Sequence, residues 1–138
     1  MKRFLIWIII FIVFIVSFWV GAHFYLAKNP KKIAVAIDTS YFMNQNWGSV
    51  VNTVKNIANQ KYSTYCLLTD KQLIHSWNNE LLSYKLGSIK PYGPRDLAIF
   101  YDNTRYKEIN EATVIYIITN DDKFEVKNTL KYKLILLR

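Results

Sequence analysis

The chain has 138 residues, a formal net charge of +8 and a single cysteine. This length leaves room for one domain of ordinary size. The lone Cys66 excludes an internal disulfide, so the domain must be held together by its core. The excess of lysine and arginine is compatible with an anionic membrane surface or with nucleic acid. However, the basic residues are scattered until they gather at positions 123–138, which favours an ordinary solvated surface over a nucleic-acid partner.

The first 27 residues differ in composition from the rest. After Met1-Lys2-Arg3, the segment 4–27 contains no charged side chain. As a helix it would measure about 36 Å, compared with roughly 30 Å for the hydrocarbon core of a bilayer. Trp7 and Trp19 lie toward its two ends, where interfacial aromatic residues are common. We therefore expect residues 1–27 to form a transmembrane anchor that contacts lipid through residues 4–27.

The alternative for this segment is a cleaved secretory signal. Lys2-Arg3 would be its charged region and Val20-Gly21-Ala22 its small-residue cleavage site. The apolar run is longer than the usual signal core of about 7 to 15 residues, which favours the anchor. Lysines flank both ends, so the positive-inside rule gives nearly a tie for orientation. Because short N-terminal tails normally stay in the cytoplasm, we expect the domain on the extracytoplasmic side; the opposite orientation stays open.

After a short basic linker at residues 28–32, the domain is expected to span residues 33–138. Its first segment, Ile33–Ile37, is apolar without alternation, which is typical of a strand buried on both faces of a parallel sheet. It stops at Asp38. The similar run Thr113–Thr119 stops at Asn120-Asp121-Asp122. If the two strands are neighbours, these polar residues share the edge of the sheet where α/β proteins place their sites.

The remaining elements follow from hydrophobic periodicity and turn residues. Helices are predicted at residues 47–60, 78–86, 96–109 and 124–130, and further strands at 62–69, 72–77 and 133–137. Asn78 is the predicted N-cap of the second of these helices and Gly87 its stop. Strands that alternate with helices predict an α/β domain with a mainly parallel, Rossmann-like sheet flanked by helices.

Three short motifs give this order of elements a resemblance to a known family. Asp38-Thr39-Ser40-Tyr41-Phe42-Met43 is similar to the Asp-x-Ser-x-Ser-Met run that follows the first strand of von Willebrand factor type A (vWA) domains. Residues 93–97, Gly-Pro-Arg-Asp-Leu, are similar to the Gly-x-Thr-Asp-Leu loop of that family, and residues 119–121 to its Thr-Asp-Gly. The resemblance covers almost all of residues 33–137, with a shortened C-terminus. It implies protein interaction through a rim formed by Asp38, Ser40, Tyr41, Phe42, Arg95, Asp96, Asn120 and Asp121.

The vWA family holds a divalent ion with the first aspartate, both serines, the loop threonine and the later aspartate. Here the second serine is Phe42, the loop threonine is Arg95, and the later acid is Asn120 unless Asp121 takes its place. Hard cations need several oxygen ligands, and a guanidinium at this position would instead pair with Asp38. We therefore expect no cofactor and a degenerate metal site. A retained site would use Asp38, Ser40 and Asp121.

A second resemblance, to PIN and NYN nucleases, stays open. These enzymes also begin with a strand that ends in Asp-x-Ser, and their later motif resembles residues 119–124, Thr-Asn-Asp-Asp-Lys-Phe. It implies that Asp38, Asp96 and Asp121, with Asp102 or Asp122, hold magnesium for phosphodiester hydrolysis. The match is poorer between residues 70 and 97, and a nuclease that faces outward would meet little substrate. Without a catalytic role, Asp96 would cap a helix and Asp121-Asp122 would start one.

No other pattern of catalytic residues appears. His75 has no cysteine or second histidine at ligand spacing, and the four glycines do not form a phosphate-binding loop. The sequence therefore predicts a single-pass membrane protein that binds a protein partner in an envelope complex and is not an enzyme. A purely structural subunit of a larger membrane assembly is a third interpretation that the sequence leaves open.

Overall fold

The structure, a computed structural model, describes residues 2–102, 104–127 and 130–137. It divides into two units, residues 1–30 and 31–138. The first unit is helix α1, Lys2–Lys28. Its segment Arg3–Lys28 is long and apolar enough to cross a membrane, as the sequence predicts, although a signal sequence near the N-terminus has the same properties.

The second unit is an α/β domain with one five-stranded sheet. Its strands are β1 (Lys31–Ile37), β2 (Ser63–Thr69), β3 (Leu73–Asn78), β4 (Val114–Thr119) and β5 (Tyr132–Leu136). The strand order is β3-β2-β1-β4-β5, and all neighbours are parallel except the antiparallel pair β2–β3. The predicted strands are therefore present, with ends that differ by one or two residues. The parallel pairs bring the ends of β1, β2 and β4 to one edge of the sheet.

Burial of β1 explains why its sequence does not alternate. Every residue from Ile33 to Ile37 is completely buried. Ala34 and Ala36 pack on one face of the sheet, whereas Ile33, Val35 and Ile37 pack on the other. Because β1 is the central strand and both of its faces are covered, both sets of side chains must be apolar.

Different elements cover the two faces. Helix α2, Trp47–Ile57, buries Val50, Val54 and Ile57 against the face that holds Ile33 and Val35. The opposite face is covered by a 3-10 helix, Leu97–Tyr101, and by helix α3, Lys107–Glu111. Helix α2 matches the prediction for residues 47–60 but ends at Ile57, three residues before the predicted end.

The prediction of an α-helix at residues 78–86 is wrong. Strand β3 continues through Asn78, so this residue is not an N-cap, and a 3-10 helix follows at Ser83–Ser88. Leu81 and Leu86 are buried, whereas Tyr84 is 73% exposed. In so short a segment, two or three buried residues fit a 3-10 helix as well as an α-helix, so periodicity does not distinguish them.

The prediction of one continuous helix at residues 96–109 is also wrong, because the chain turns between the 3-10 helix and α3. Asp102 Oδ1 accepts hydrogen bonds from the Thr104 main-chain N–H (2.9 Å) and hydroxyl (2.7 Å). Such a local side-chain turn competes with helix formation. In the region predicted as a helix at 124–130, residues 124–127 are not helical, and residues 128 and 129 lie outside the described residues.

Candidate functional site at the strand ends

The parallel strands β1, β2 and β4 each end in a polar residue at the same edge of the sheet. These residues are Asp38, Asp70 and Asn120. Both carboxylates are buried: Asp38 is 0% exposed and Asp70 is 2% exposed. A buried carboxylate is costly unless hydrogen bonds and an opposite charge compensate it, so the partners of these two groups define the site.

Asp38 uses both of its oxygens. Its Oδ1 accepts a hydrogen bond from the Ser40 main-chain N–H at 2.9 Å. Its Oδ2 accepts one from the Thr119 hydroxyl at 2.7 Å and one from Arg95 Nε at 2.8 Å. The Arg95–Asp38 ion pair expected from the sequence is therefore present, and it lies where β1 and β4 end side by side.

The guanidinium of Arg95 joins further residues to this group. Its Nη2 donates a hydrogen bond to Asn120 Oδ1, and its Nη1 lies 3.3 Å from Asp121 Oδ2. We call Asp38, Arg95, Thr119, Asn120 and Asp121 the strand-end cluster. The planar guanidinium suits this position because its donors point in several fixed directions.

Asn120 extends the cluster to the 3-10 helix Tyr41–Asn46, which follows β1. Its Nδ2 donates to the Phe42 main-chain carbonyl at 2.7 Å and approaches Asn46 Oδ1 at 3.3 Å. The Arg95 guanidinium also lies over the Phe42 ring, 5.0 Å from its centroid. The cluster therefore holds this 3-10 helix through both main-chain and ring contacts.

A second ion pair, which the sequence analysis missed, holds the end of β2. Asp70 Oδ1 accepts hydrogen bonds from the Thr39 main-chain N–H (3.0 Å) and hydroxyl (2.5 Å), and its Oδ2 lies 2.7 Å from Lys71 Nζ. Lys71 Nζ also donates to the Pro94 carbonyl at 2.5 Å. The sequence analysis assigned no role to Asp70 or Lys71. An acid at the carboxyl end of a predicted parallel strand was the signal that would have placed Asp70 in the site.

The end of β2 also accepts a hydrogen bond from a tyrosine. The Tyr106 hydroxyl donates to the Thr69 carbonyl at 2.9 Å. Burial raises the pKa of Tyr106 above its ordinary value, so the phenol keeps its proton and remains a donor at neutral pH. This hydrogen bond ties the segment before α3 to the strand end.

Hydrogen bonds between two loops display three aromatic side chains beside the cluster. The Tyr41 N–H donates to the Gly93 carbonyl (3.1 Å), and the Tyr92 N–H donates to the Thr39 carbonyl (2.7 Å). Gly93 has φ of 72°, a conformation that side chains disfavour, so the glycine permits this turn. Tyr41, Phe42 and Tyr92 are 63%, 65% and 52% exposed. We call these three residues the aromatic patch.

Asp96 does not join the strand-end cluster. It is exposed, and although it precedes the 3-10 helix at Leu97–Tyr101, its side chain makes no capping hydrogen bond. Asp96 and Asp121 instead line a cleft of about 460 Å³ together with Arg95 and Phe124. Asp121 Oδ1 accepts a hydrogen bond from the Lys123 main-chain N–H at 3.1 Å and so closes a turn instead of starting the predicted helix.

The donor set does not fit a divalent cation. The carboxylate of Asp38 would be the main ligand, but a permanently charged guanidinium is hydrogen-bonded to it. Of the other two expected ligands, Asp121 also lies 3.3 Å from the guanidinium, and the buried Ser40 hydroxyl has no hydrogen-bond partner among the described residues. Within the described ranges, no three His, Cys, Asp or Glu side chains are grouped to hold a metal ion. The geometry therefore gives the nuclease interpretation no support.

The two remaining residues considered in the sequence, Cys66 and His75, lie in strands and have structural roles. Cys66 is buried in β2, and burial raises the pKa of its thiol to about 12. His75 lies in β3, where its Nδ1 is 2.7 Å from the Ser76 carbonyl and its Nε2 accepts a hydrogen bond from the Leu82 N–H. Burial lowers the pKa of His75, which favours the neutral ring that this acceptor role requires.

At this edge of the sheet the charged groups are paired with one another, whereas the rings of the aromatic patch face solvent. Comparisons with protein-family models, with curated proteins and with solved structures find no match for this chain. What the site does must therefore be inferred from its own geometry: three ion pairs that connect the strand ends to neighbouring segments, and three exposed aromatic side chains.

Proposed function

We propose that this chain is a single-pass membrane protein whose α/β domain binds a protein partner through the rim at the ends of its parallel strands. The aromatic patch is the observation that carries the proposal. Three aromatic side chains are more than half exposed on loops that hydrogen bonds hold in place. Large aromatic side chains are enriched among residues that dominate binding energy, and a fixed loop loses little entropy on binding.

The strand-end cluster supports this function by holding the patch in one conformation. Arg95 contacts the Phe42 ring and pairs with Asp38, while Lys71 holds the Pro94 carbonyl beside Gly93. In this proposal the guanidinium acts as a built-in cation at the position where vWA domains bind a metal. The rim thus serves as a vWA-like interaction surface that does not depend on a divalent ion.

The proposed location is the extracytoplasmic face of a membrane, with α1 retained as the anchor. The single native cysteine is buried, so one new cysteine on the surface reports location cleanly. Ser88 is exposed, and we expect Ser88→Cys to react with a membrane-impermeant maleimide in intact cells. Labelling only after the cells are broken would place the domain in the cytoplasm and contradict this location.

The proposed binding surface is tested by photo-crosslinking of the full chain in its native membrane. We expect a photoreactive phenylalanine analogue at position 42 to crosslink to one defined protein. Tyr84 is the matched control, since it is an aromatic residue of similar exposure (73%) in a different part of the domain. Phe42→Ala should reduce recovery of the partner by at least about tenfold, as expected for a central aromatic contact, whereas Tyr84→Ala should not.

Two results would contradict the proposal. Equal losses from Phe42→Ala and Tyr84→Ala would show that the aromatic patch does not bind the partner. Magnesium-dependent cleavage of RNA or DNA by the purified chain, abolished by Asp38→Asn, would assign the site to a nuclease instead. For an interaction surface without a metal, magnesium leaves the melting temperature of the domain unchanged.

A further inference from the structure

The two outer strands of the sheet differ in how well they are protected from pairing with another chain. At one edge, β3 pairs with β2 through an irregular register, and its residues include His75, Ser76 and Asn78. At the other edge, β5 pairs with β4 in an unbroken parallel register. Bulges, polar residues and charged side chains all hinder unwanted strand addition. β5 has no bulge, so it is the more regular of the two edges, and Lys133 is its one charged side chain.

The main chain of β5 shows which groups face outward. The Ile115 N–H donates to the Lys131 carbonyl, and the Leu137 N–H donates to the Thr119 carbonyl. The main-chain N–H and C=O groups of the odd-numbered residues in β5 therefore point toward β4. Because this direction alternates along a strand, the N–H and C=O groups of Leu134 and Leu136 point away from the sheet. Among the described residues, no strand pairs with this side of β5.

The charge around β5 indicates which kind of chain it would accept. From Lys127 to Arg138 the sequence has four basic residues and no acidic one. Lys133 is exposed, and Lys127 Nζ lies 5.5 Å from the centre of the Tyr101 ring, which packs against Tyr132 of β5. A second copy of this chain would bring the same positive charges to the edge, which disfavours β5–β5 pairing.

We propose that β5 is a second binding surface, separate from the rim, that accepts an extended segment of a partner protein rich in apolar and acidic residues. The segment adds a sixth strand, and its main chain bonds to the outward groups of Leu134 and Leu136. Its acidic side chains lie beside Lys131 and Lys133. In the free domain Lys133 Nζ lies 5.7 Å from the centre of the Tyr116 ring of β4 and Lys131 Nζ donates to the Asn110 carbonyl at 3.3 Å, so both ammonium groups turn outward when the segment binds. A lipid headgroup has the negative charge but lacks the alternating donors and acceptors that the edge requires.

The probe is a peptide of alternating glutamate and valine with the length of β5, added to the full chain in phosphatidylcholine nanodiscs. We expect binding by fluorescence anisotropy and amide exchange at residues 132–136 slowed by about tenfold. A peptide of alternating lysine and valine should bind at least about fivefold more weakly. Methylation of the alternate peptide nitrogens that face β5 should abolish binding.

Two matched variants test the edge itself. Leu136→Pro removes one outward N–H without loss of a bond to β4, and it should weaken binding by about fivefold. Leu136→Ala, which keeps that N–H, should weaken binding less. Lys133→Glu should reduce the preference for the glutamate peptide, because the substitution lowers the positive charge beside β5 by two.

Several results would overturn the proposal. Equal affinity for both peptides, or full binding of the methylated peptide, would exclude a charge-selective strand edge. A concentration-dependent dimer that Leu136→Pro abolishes would make a second copy the occupant. Slowed exchange at residues 132–136 in phosphatidylserine nanodiscs without peptide would assign the lysines to lipid.

Discussion

Two buried carboxylates end neighbouring strands of this sheet, and they are compensated in different ways. Asp38 faces the guanidinium of Arg95, which also contacts Asn120 and Asp121. Asp70 faces the ammonium of the next residue, Lys71. Both arrangements tie together segments that are distant in sequence. In the first, one guanidinium contacts three side chains, whereas in the second the carboxylate holds Thr39 and the ammonium separately reaches the Pro94 carbonyl. A planar guanidinium can donate to several acceptors at once, whereas an ammonium is a compact charge at the end of a flexible side chain.

The largest effect is expected from Asp38→Ala. It removes one of the two carboxylates that Arg95 contacts, so that only Asp121 remains, and it leaves the Ser40 N–H and the Thr119 hydroxyl without their acceptor. We expect the free energy of unfolding to fall by about 3 to 5 kcal/mol, measured by urea unfolding of the full chain in micelles. Asp122→Ala, at an exposed acid nearby, is the control and should change stability by less than about 0.5 kcal/mol. A similar small loss for both variants would show that the cluster does not stabilise the fold.

A smaller loss is expected from Asp70→Ala. The variant removes the acceptor for the Thr39 N–H and hydroxyl, but Lys71 keeps its hydrogen bond to the Pro94 carbonyl. The ammonium is also carried by a flexible side chain that can turn toward water once the carboxylate is gone. The loss should be about 2 kcal/mol in the same unfolding experiment. If Asp70→Ala destabilises the domain as much as Asp38→Ala, the two ion pairs are equivalent and the distinction between them fails.

Exchange of the two basic residue types sharpens the comparison. Arg95→Lys retains the charge but cannot reach Asp38, Asn120 and Asp121 together, so we expect a loss of about 1 to 2 kcal/mol. Lys71→Arg should change stability by less than about 0.5 kcal/mol, because one charged contact to Asp70 is retained. Equal effects of the two exchanges would mean that only charge, and not the shape of the guanidinium, matters at Arg95.

The smallest expected effect is on the rate at which Cys66 is labelled, beginning with the protein without substitutions. Burial raises the pKa of this thiol to about 12, so the folded domain holds it protonated at pH 8 and out of reach of reagents. We expect no labelling by iodoacetamide until the sheet opens, and faster labelling in Asp38→Ala than in Asp70→Ala. Mass spectrometry of the labelled chain measures both rates. Rapid labelling of the unchanged protein would show that β2 opens easily.

The sequence by itself determined the strands and the length of the N-terminal helix. An unbroken apolar run such as Ile33–Ile37 requires burial on both sides, and a strand of this kind must lie in the middle of a covered sheet. These inferences depend on local patterns that survive in any tertiary context. The pairing of Arg95 with Asp38 was expected for a different reason: the resemblance to vWA domains implied that the loop at residues 93–97 lies beside the first strand's acid.

Only the tertiary structure decided the rest of the site and the helices between residues 78 and 111. Asp70 and Lys71 acquired their roles from the approach of the loop at Pro94, a contact that spans more than 20 residues of sequence. The predicted helix at 96–109 was divided by the turn at Asp102, where side-chain hydrogen bonds compete with helical ones. Short segments gain too little from their own hydrogen bonds to fix a helix, so packing against the sheet selects their form.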